Sequence, residues 1–258
     1  MAAASGRPGG DGLLHPGATV VHALPAEAKV VAALVLVVAV VATPREAVWA
    51  FAAHAAVLAA VAVRARLPLR LVLRRARVEV PFLAFAALLP VVGPAPRVEL
   101  LGLDLSRDGL WAAWDVAATG TLGVVAAVVL SATTPVPELL RGLRRLWVPA
   151  VLVAIVGLMV RYLDVVVAEA GRMRVARLSR GDDPRWLGQA RATAATAGTL
   201  FVRSYERGER VHLAMLARGG AGPAPSLPGP ATSAGAWLGA AAVPAVAVLV
   251  AAAALVGR

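Results

Sequence analysis

Residues Gly109–Ala132 read GLWAAWDVAATGTLGVVAAVVLSA, a run of 24 residues whose one charge is Asp115. A helix needs about 20 mostly apolar residues, within a range of roughly 17–25, to cross a bilayer. This stretch satisfies that requirement and predicts a spanning helix. Further spans are predicted on both sides of it. One runs from Glu27 to Thr43 and is free of charge from Val30 onward, until Pro44-Arg45-Glu46 ends it. Another runs from Ala47 to Val63, with His54 its one ionisable group. A third runs from Val78 to Val92, with Pro81 near its start, where proline is tolerated. The last runs from Ala236 to Val256, and Pro244 is expected to kink it. Val148–Val160 is apolar but only 13 residues long, short for a span and readable as interfacial or re-entrant.

Composition agrees with these spans. Of 258 residues, 59% are hydrophobic and 16% charged, and mean hydropathy is +0.75. Soluble domains carry about 25% charged residues. A soluble globular protein is excluded. The expected fold is all-α: a polytopic integral membrane protein of about five spanning helices plus amphipathic cytoplasmic helices. Residues 1–25 form an N-terminal cytoplasmic segment without the long apolar centre of a signal peptide. Residues 26–135 make a membrane domain of four spans, 136–219 a cytoplasmic helical region, 220–235 a Gly/Pro-rich linker and 236–258 a C-terminal span.

Several chemistries are absent. With no cysteine, disulfides, thiolate metal sites, iron–sulfur clusters and thiol nucleophiles are excluded. The four histidines, His15, His22, His54 and His212, are scattered, whereas a transition-metal site needs converging ligands. Net charge is +11, and of 26 basic residues only Lys29 is lysine. Lys29 is followed by Val30 and preceded by no glycine-rich loop, so a Walker A phosphate loop is excluded. No H-E-x-x-H, G-x-S-x-G or G-x-G-x-x-G signature supports an enzyme.

Loop charge orients the chain. Residues 64–77 hold Arg64, Arg66, Arg70, Arg74, Arg75 and Arg77 and no acid. Residues 93–108 hold Arg97 and Arg107 against Glu99, Asp104 and Asp108. The positive-inside rule places the first loop and the N-terminus in the cytoplasm, and the second loop outside. Arg141, Arg144 and Arg145 after the fourth span agree. The six arginines of 64–77 read as a topogenic loop that also meets anionic headgroups. Asp115 is expected near the outer end of its span, in reach of water, and His54 as a hydrogen-bonded packing residue.

Residues 161–218 are rich in arginine and helical in period. Leu163, Val166, Val167, Ala170 and Met173 make one apolar stripe. Leu200, Phe201, Ser204, Tyr205, Gly208, Val211, His212 and Met215 make a second. Glu206 is placed to pair with Arg210 at i,i+4, and Asp164 and Glu169 to pair with Arg161 and Arg172. Arg180-Gly181-Asp182-Asp183-Pro184 is a stop, a turn and a new start. Both halves end alike, in Ser179-Arg180-Gly181 and Ala217-Arg218-Gly219. Glycine after arginine suits a helix C-cap. A guanidinium at a helix tip also offers a bidentate fork to a carboxylate on another protein.

These endings resemble the transmembrane T component of energy-coupling factor (ECF) transporters, and among those the CbiQ type of the cobalt system. His22-Ala23-Leu24-Pro25-Ala26-Glu27-Ala28-Lys29 is similar to the family's entry to its first span. Thr133-Thr134-Pro135 followed by Leu143-Arg144-Arg145-Leu146-Trp147-Val148-Pro149 resembles its T-T-P…L-R-x-L-x-x-P stretch. Arg161-Tyr162-Leu163-Asp164 with Glu169-Ala170-Gly171-Arg172-Met173 matches the start of its first long coupling helix. Arg203–Arg207 through Gly219 resembles the cobalt-type ending. Two Ala-Arg-Gly signatures define the family, and here the first has Ser179 for alanine, a small residue that preserves tight packing.

The resemblance implies a scaffold in a prokaryotic plasma membrane that is not itself an enzyme. It would join a pair of CbiO-like ABC ATPases, which hold ATP and magnesium, to a CbiM/CbiN-like substrate-binding membrane component, with cobalt ion as the transported substrate. The chain would bind no cofactor or metal itself and no nucleic acid. Residues 136–219 become the coupling-helix region. Ser179, Arg180, Gly181, Ala217, Arg218 and Gly219 become the ATPase contacts. Met173, Tyr205, Val211 and Met215 become packing residues between coupling helices or against the substrate-binding partner. A nickel or vitamin importer is the alternative within the family. A lipid-acting membrane enzyme, or an anchor with basic surface helices, is the alternative outside it.

Overall fold

A computed structural model describes residues 14–15, 17, 19–94, 96–100, 103–181, 188–220 and 234–257. Most of the predicted N-terminal segment and linker, and Asp182-Asp183-Pro184 of the predicted turn, lie outside the described residues. The elements are α1 (Val20–Ala23), α2 (Ala26–Ala42), α3 (Val48–Arg64), α4 (Leu69–Ala76), α5 (Val80–Ala86), α6 (Leu89–Val92), β1 (Arg97–Leu100), β2 (Leu103–Ser106), α7 (Arg107–Thr133), α8 (Val136–Arg145), α9 (Ala150–Ser179), α10 (Gly188–Ala217) and α11 (Ala234–Val256). Among the described residues the fold is all-α apart from one short hairpin.

Three helices, Arg107–Thr133, Ala150–Ser179 and Trp237–Val256, are long and apolar enough to cross a membrane. The helices α2 and α3, 17 residues each, rise about 26 Å and sit at the short end of the spanning range. The chain is a polytopic membrane protein. It divides into two compact units, one holding residues 14–146 and 234–257 and the other 147–181 and 188–220.

The larger unit is a helix bundle. Its core joins Leu36, Ala39 and Val40 of α2, Phe51 and Leu58 of α3, Leu122 and Ala126 of α7, and Ala247 and Ala251 of α11. Alanines fill much of this interface. Small residues let membrane helices approach closely, where lipid gives no hydrophobic drive to pack. The Phe51 ring meets Trp114 edge-on at 6.1 Å. A second cluster ties α4 to the end of α7 through Val72, Val128, Val129 and Ala132. Outward residues such as Leu34, Val38 and Phe82 stay exposed, as a lipid-facing surface requires.

Two expectations change. The predicted span Val78–Val92 is not one helix. It is a 3-10 turn, Arg77–Glu79, then α5 and α6, with a break after Ala86. Pro90 lacks an N–H and cannot bond the carbonyl of Ala86, four residues back. The broken run still packs along α7. Conversely, Val148–Val160 is not a short isolated stretch. It opens the 30-residue α9, which starts after Pro149 and continues to Ser179. Nothing between Arg161 and Ser179 breaks a helix, so the backbone runs on where hydropathy stops.

The loop of residues 93–108 contains the hairpin, with Arg97 opposite Ser106 and Glu99 opposite Asp104. Ser106 then caps α7. Its hydroxyl accepts from the Gly109 N–H at 3.1 Å and donates to the Pro94 carbonyl at 2.6 Å.

Candidate coupling site

The smaller unit is an antiparallel helical hairpin. Arg177 Nη1 donates to Thr196 Oγ1 at 3.1 Å, and Arg203 Nη1 donates to Glu169 Oε1 at 2.5 Å. Arg172, one turn on from Glu169, binds its other carboxylate oxygen. Two guanidiniums therefore share the Glu169 carboxylate, one from its own helix and one from α10. Sequence alone gives the Arg172 contact, because it is local. The Arg203 contact, 34 residues away, is what joins the helices. Val165, Val166, Leu200, Ser204 and Arg207 surround it.

Both helices end in the same way. Gly181 and Gly219 take φ of +81° and +80°. The Gly181 N–H donates to Leu178 O, and the Gly219 N–H to Leu216 O. At the second tip the Gly220 N–H also reaches Met215 O at 2.8 Å, completing a Schellman cap. Each cap leaves an arginine, Arg180 or Arg218, as the last residue before the left-handed turn. Both are exposed, and neither guanidinium has a hydrogen-bond or ion-pair partner among the described residues. Ser179 fits in place of alanine because its hydroxyl bonds back to Val175 O at 3.0 Å.

The hairpin fixes where the tips stand. The facing pairs 177/196 and 169/203 set an antiparallel register. Extended, it puts Arg180 beside residue 192 and Arg218 about 26 residues further along α10. The tips are then roughly 39 Å apart along its axis. They sit at opposite ends and cannot share one acceptor.

Of the expected packing residues, Met173 and Val211 are half-buried, while Tyr205 is 67% exposed and Met215 37%. Asp164 forms no ion pair among the described residues, and the expected Glu206–Arg210 pair is not formed. Arg161 lies instead over the Tyr162 ring.

At one end of the larger unit the structure joins two sequence stretches that spacing alone leaves apart. Lys29 Nζ, 7% exposed, donates to His22 O and to Thr133 O, both at 3.0 Å. Arg145 of α8 binds Glu27 at 2.8 Å, and Gly142 lies against the α2 backbone. Thr19 Oγ1 and His22 Nδ1 are 2.7 Å apart, and His22 Nε2 donates to His15 O. The single lysine thus clasps the end of α7 to the start of α2, where a cation complements the negative helix end.

Two further ionisable residues are buried among the spans. His54 Nε2 donates to Ala247 O at 3.3 Å, the packing contact expected of it. Glu79, which the sequence reading passed over, accepts from Thr121 Oγ1 at 3.0 Å. An acid inside a predicted span was the signal for it. Asp115 is half-buried, with Thr119 3.5 Å away. Among the described residues no group of three or more His, Asp or Glu side chains converges to hold a metal ion.

The family model for CbiQ, cobalt transport protein, matches residues 17–228, which include the clasp, the hairpin and both arginine tips. The chain belongs to the CbiQ family. It is similar to the cobalt transport protein CbiQ of Rhodobacter capsulatus, 33% identical over 153 residues, 55% of this chain and 62% of that protein. It is also similar to the uncharacterized protein MJ1089 of Methanocaldococcus jannaschii, 34% identical over 37% of this chain and 36% of that one. A putative fused cobalt transport protein CbiMQ of Methanocorpusculum labreanum is 27% identical over 47% of this chain and 18% of its own length. The chain thus spans less than two thirds of each of these relatives. A CbiQ-family chain with this fold is a multi-pass membrane protein of a prokaryote.

Proposed function

We propose that this chain is the transmembrane coupling component of an energy-coupling factor importer for cobalt ions. In this role it transmits the ATP-driven closure of two CbiO-like ABC ATPases to a CbiM/CbiN-like substrate-binding component. The observation that carries the reading is a pair of exposed arginines, without partners among the described residues and each followed by a glycine with φ near +80°, at opposite ends of one hairpin. Two separated cations of similar presentation suit two copies of one acidic groove. ATP and magnesium would bind the ATPases, cobalt ion would pass through the substrate-binding component, and this chain would contribute geometry. The relative named as a fusion of CbiM and CbiQ supports a CbiM-like neighbour.

The test is charge reversal at both tips. Arg180→Glu with Arg218→Glu should leave the protein in the membrane with unchanged helicity but detach it from its ATPase and abolish cobalt uptake. Each single reversal should weaken ATPase binding tenfold or more, since losing one partner of a desolvated charge pair costs about 2–5 kcal/mol. A double variant that still co-purified with the ATPase and still supported uptake would refute the role.

A further inference from the structure

A cleft of about 430 Å³ opens among α2, α3, α7 and α11 in the larger unit. Its walls are apolar, formed by Leu36, Val57, Val61, Ala126, Val243 and Val246. Its polar residues, Lys29, Arg64 and Thr133, gather where α2 begins and where α3 and α7 end. Arg64 is exposed and has no hydrogen-bond or ion-pair partner among the described residues. Lys29 gives two of its three donors to backbone carbonyls, which leaves one. Beyond Arg64 lies α4, with Arg70, Arg74 and Arg75 on one short amphipathic helix.

We infer that this cleft holds one acyl chain of an anionic glycerophospholipid from the leaflet on the Arg64 side, with its phosphate at Arg64. Lining and charge carry the choice. From Lys29 to Leu36 the cleft is about 10 Å deep. A soluble anion would find no polar lining below the mouth. A cation at the mouth of an apolar slot selects an amphiphile of negative charge. The positive-inside bias puts that mouth at the cytoplasmic leaflet, where anionic headgroups attract basic residues. This inference stands apart from the coupling role and needs no ATPase or metal.

The test reconstitutes the full chain in vesicles of equal phosphatidylglycerol and phosphatidylcholine, extracts it in mild detergent, and counts retained lipid by native mass spectrometry. The unaltered chain should keep one phosphatidylglycerol, about fivefold or more over phosphatidylcholine. Arg64→Gln should bring that ratio close to one without reducing the total lipid. Ala60→Phe with Ala242→Phe, both exposed alanines lining the cleft, should cut retention of either lipid at least fivefold. Arg210→Gln, an exposed arginine of α10, should change neither. Circular dichroism establishes that each variant is folded. Equal retention of the two lipids by the unaltered chain would overturn the inference. So would undiminished phosphatidylglycerol on the filled cleft, because the lipid would then bind elsewhere.

Discussion

Gly142→Ala sets two effects of known sign against each other. Gly142 is inside α8, and alanine in place of glycine in a helix stabilises by about 1 kcal/mol. Here, however, a Cβ would lie 2.8 Å from the Glu27 nitrogen and 3.1 Å from Ala26 Cβ. Backbone cannot swing aside as a flexible side chain does. The helices must part by several tenths of an ångström, which lengthens the Arg145–Glu27 ion pair, and overpacking of this kind costs about 1–3 kcal/mol. The expected net is a loss of up to about 2 kcal/mol. Gly123→Ala on α7 is the control, in the same unit with nothing within 4 Å of its Cβ. It should gain the helix term alone. The two variants should therefore differ by about 1–3 kcal/mol, which isolates the steric cost. Thermal unfolding in mild detergent gives that difference, and hydrogen exchange across residues 136–145 locates it. If Gly142→Ala were stabilised as much as Gly123→Ala, α8 would not lie on α2 and the clasp would be wrong.

Further outcomes follow from single contacts. Glu169→Gln should loosen the hairpin at neutral pH, seen as faster exchange of amides 196–207 relative to their intrinsic rates. The ion pair needs a charged carboxylate, so its contribution is present at neutral pH and is lost as acid protonates Glu169. Variant and parent should therefore converge in acid, and a gap that persisted at pH 2 would refute the ion-pair explanation. Thr121→Val should lower thermal stability by about 1 kcal/mol, because it removes the hydroxyl donor to Glu79. Thr119→Val, whose hydroxyl reaches Asp115 only at 3.5 Å, should be near neutral, and equal losses from the two would show the Glu79 contact to be unimportant.

The spans were legible because lipid leaves a helix few alternatives. Backbone groups must be satisfied within the segment, so an apolar run of sufficient length is also a helix. That signal places α2, α3, α7 and α11 within a few residues of their observed ends. It failed where the deciding term is not hydropathy. Residues 78–92 are apolar enough, yet Pro90 removes one N–H and breaks the run after Ala86. Residues 148–160 are too few, yet the polar residues beyond Arg161 keep helical torsion, so the helix does not end where the apolar surface does. Hydropathy measures side chains, whereas helix ends are set by the backbone.

The same division runs through the site. Both arginine tips were readable, because a glycine that must take φ near +80° announces a C-cap locally. The register of the hairpin was not. It depends on Glu169 choosing Arg203 among many arginines, a choice that only packing makes. That register matters for the proposed role. One exposed arginine would make a tether, which fixes a point and leaves orientation free. Two, roughly 39 Å apart on helices locked by a shared carboxylate, fix a direction as well. If both are held by ATPases that move relative to each other, the hairpin must turn with them. Glu169, which touches neither tip, then determines whether the two helices turn as one body or slide past each other.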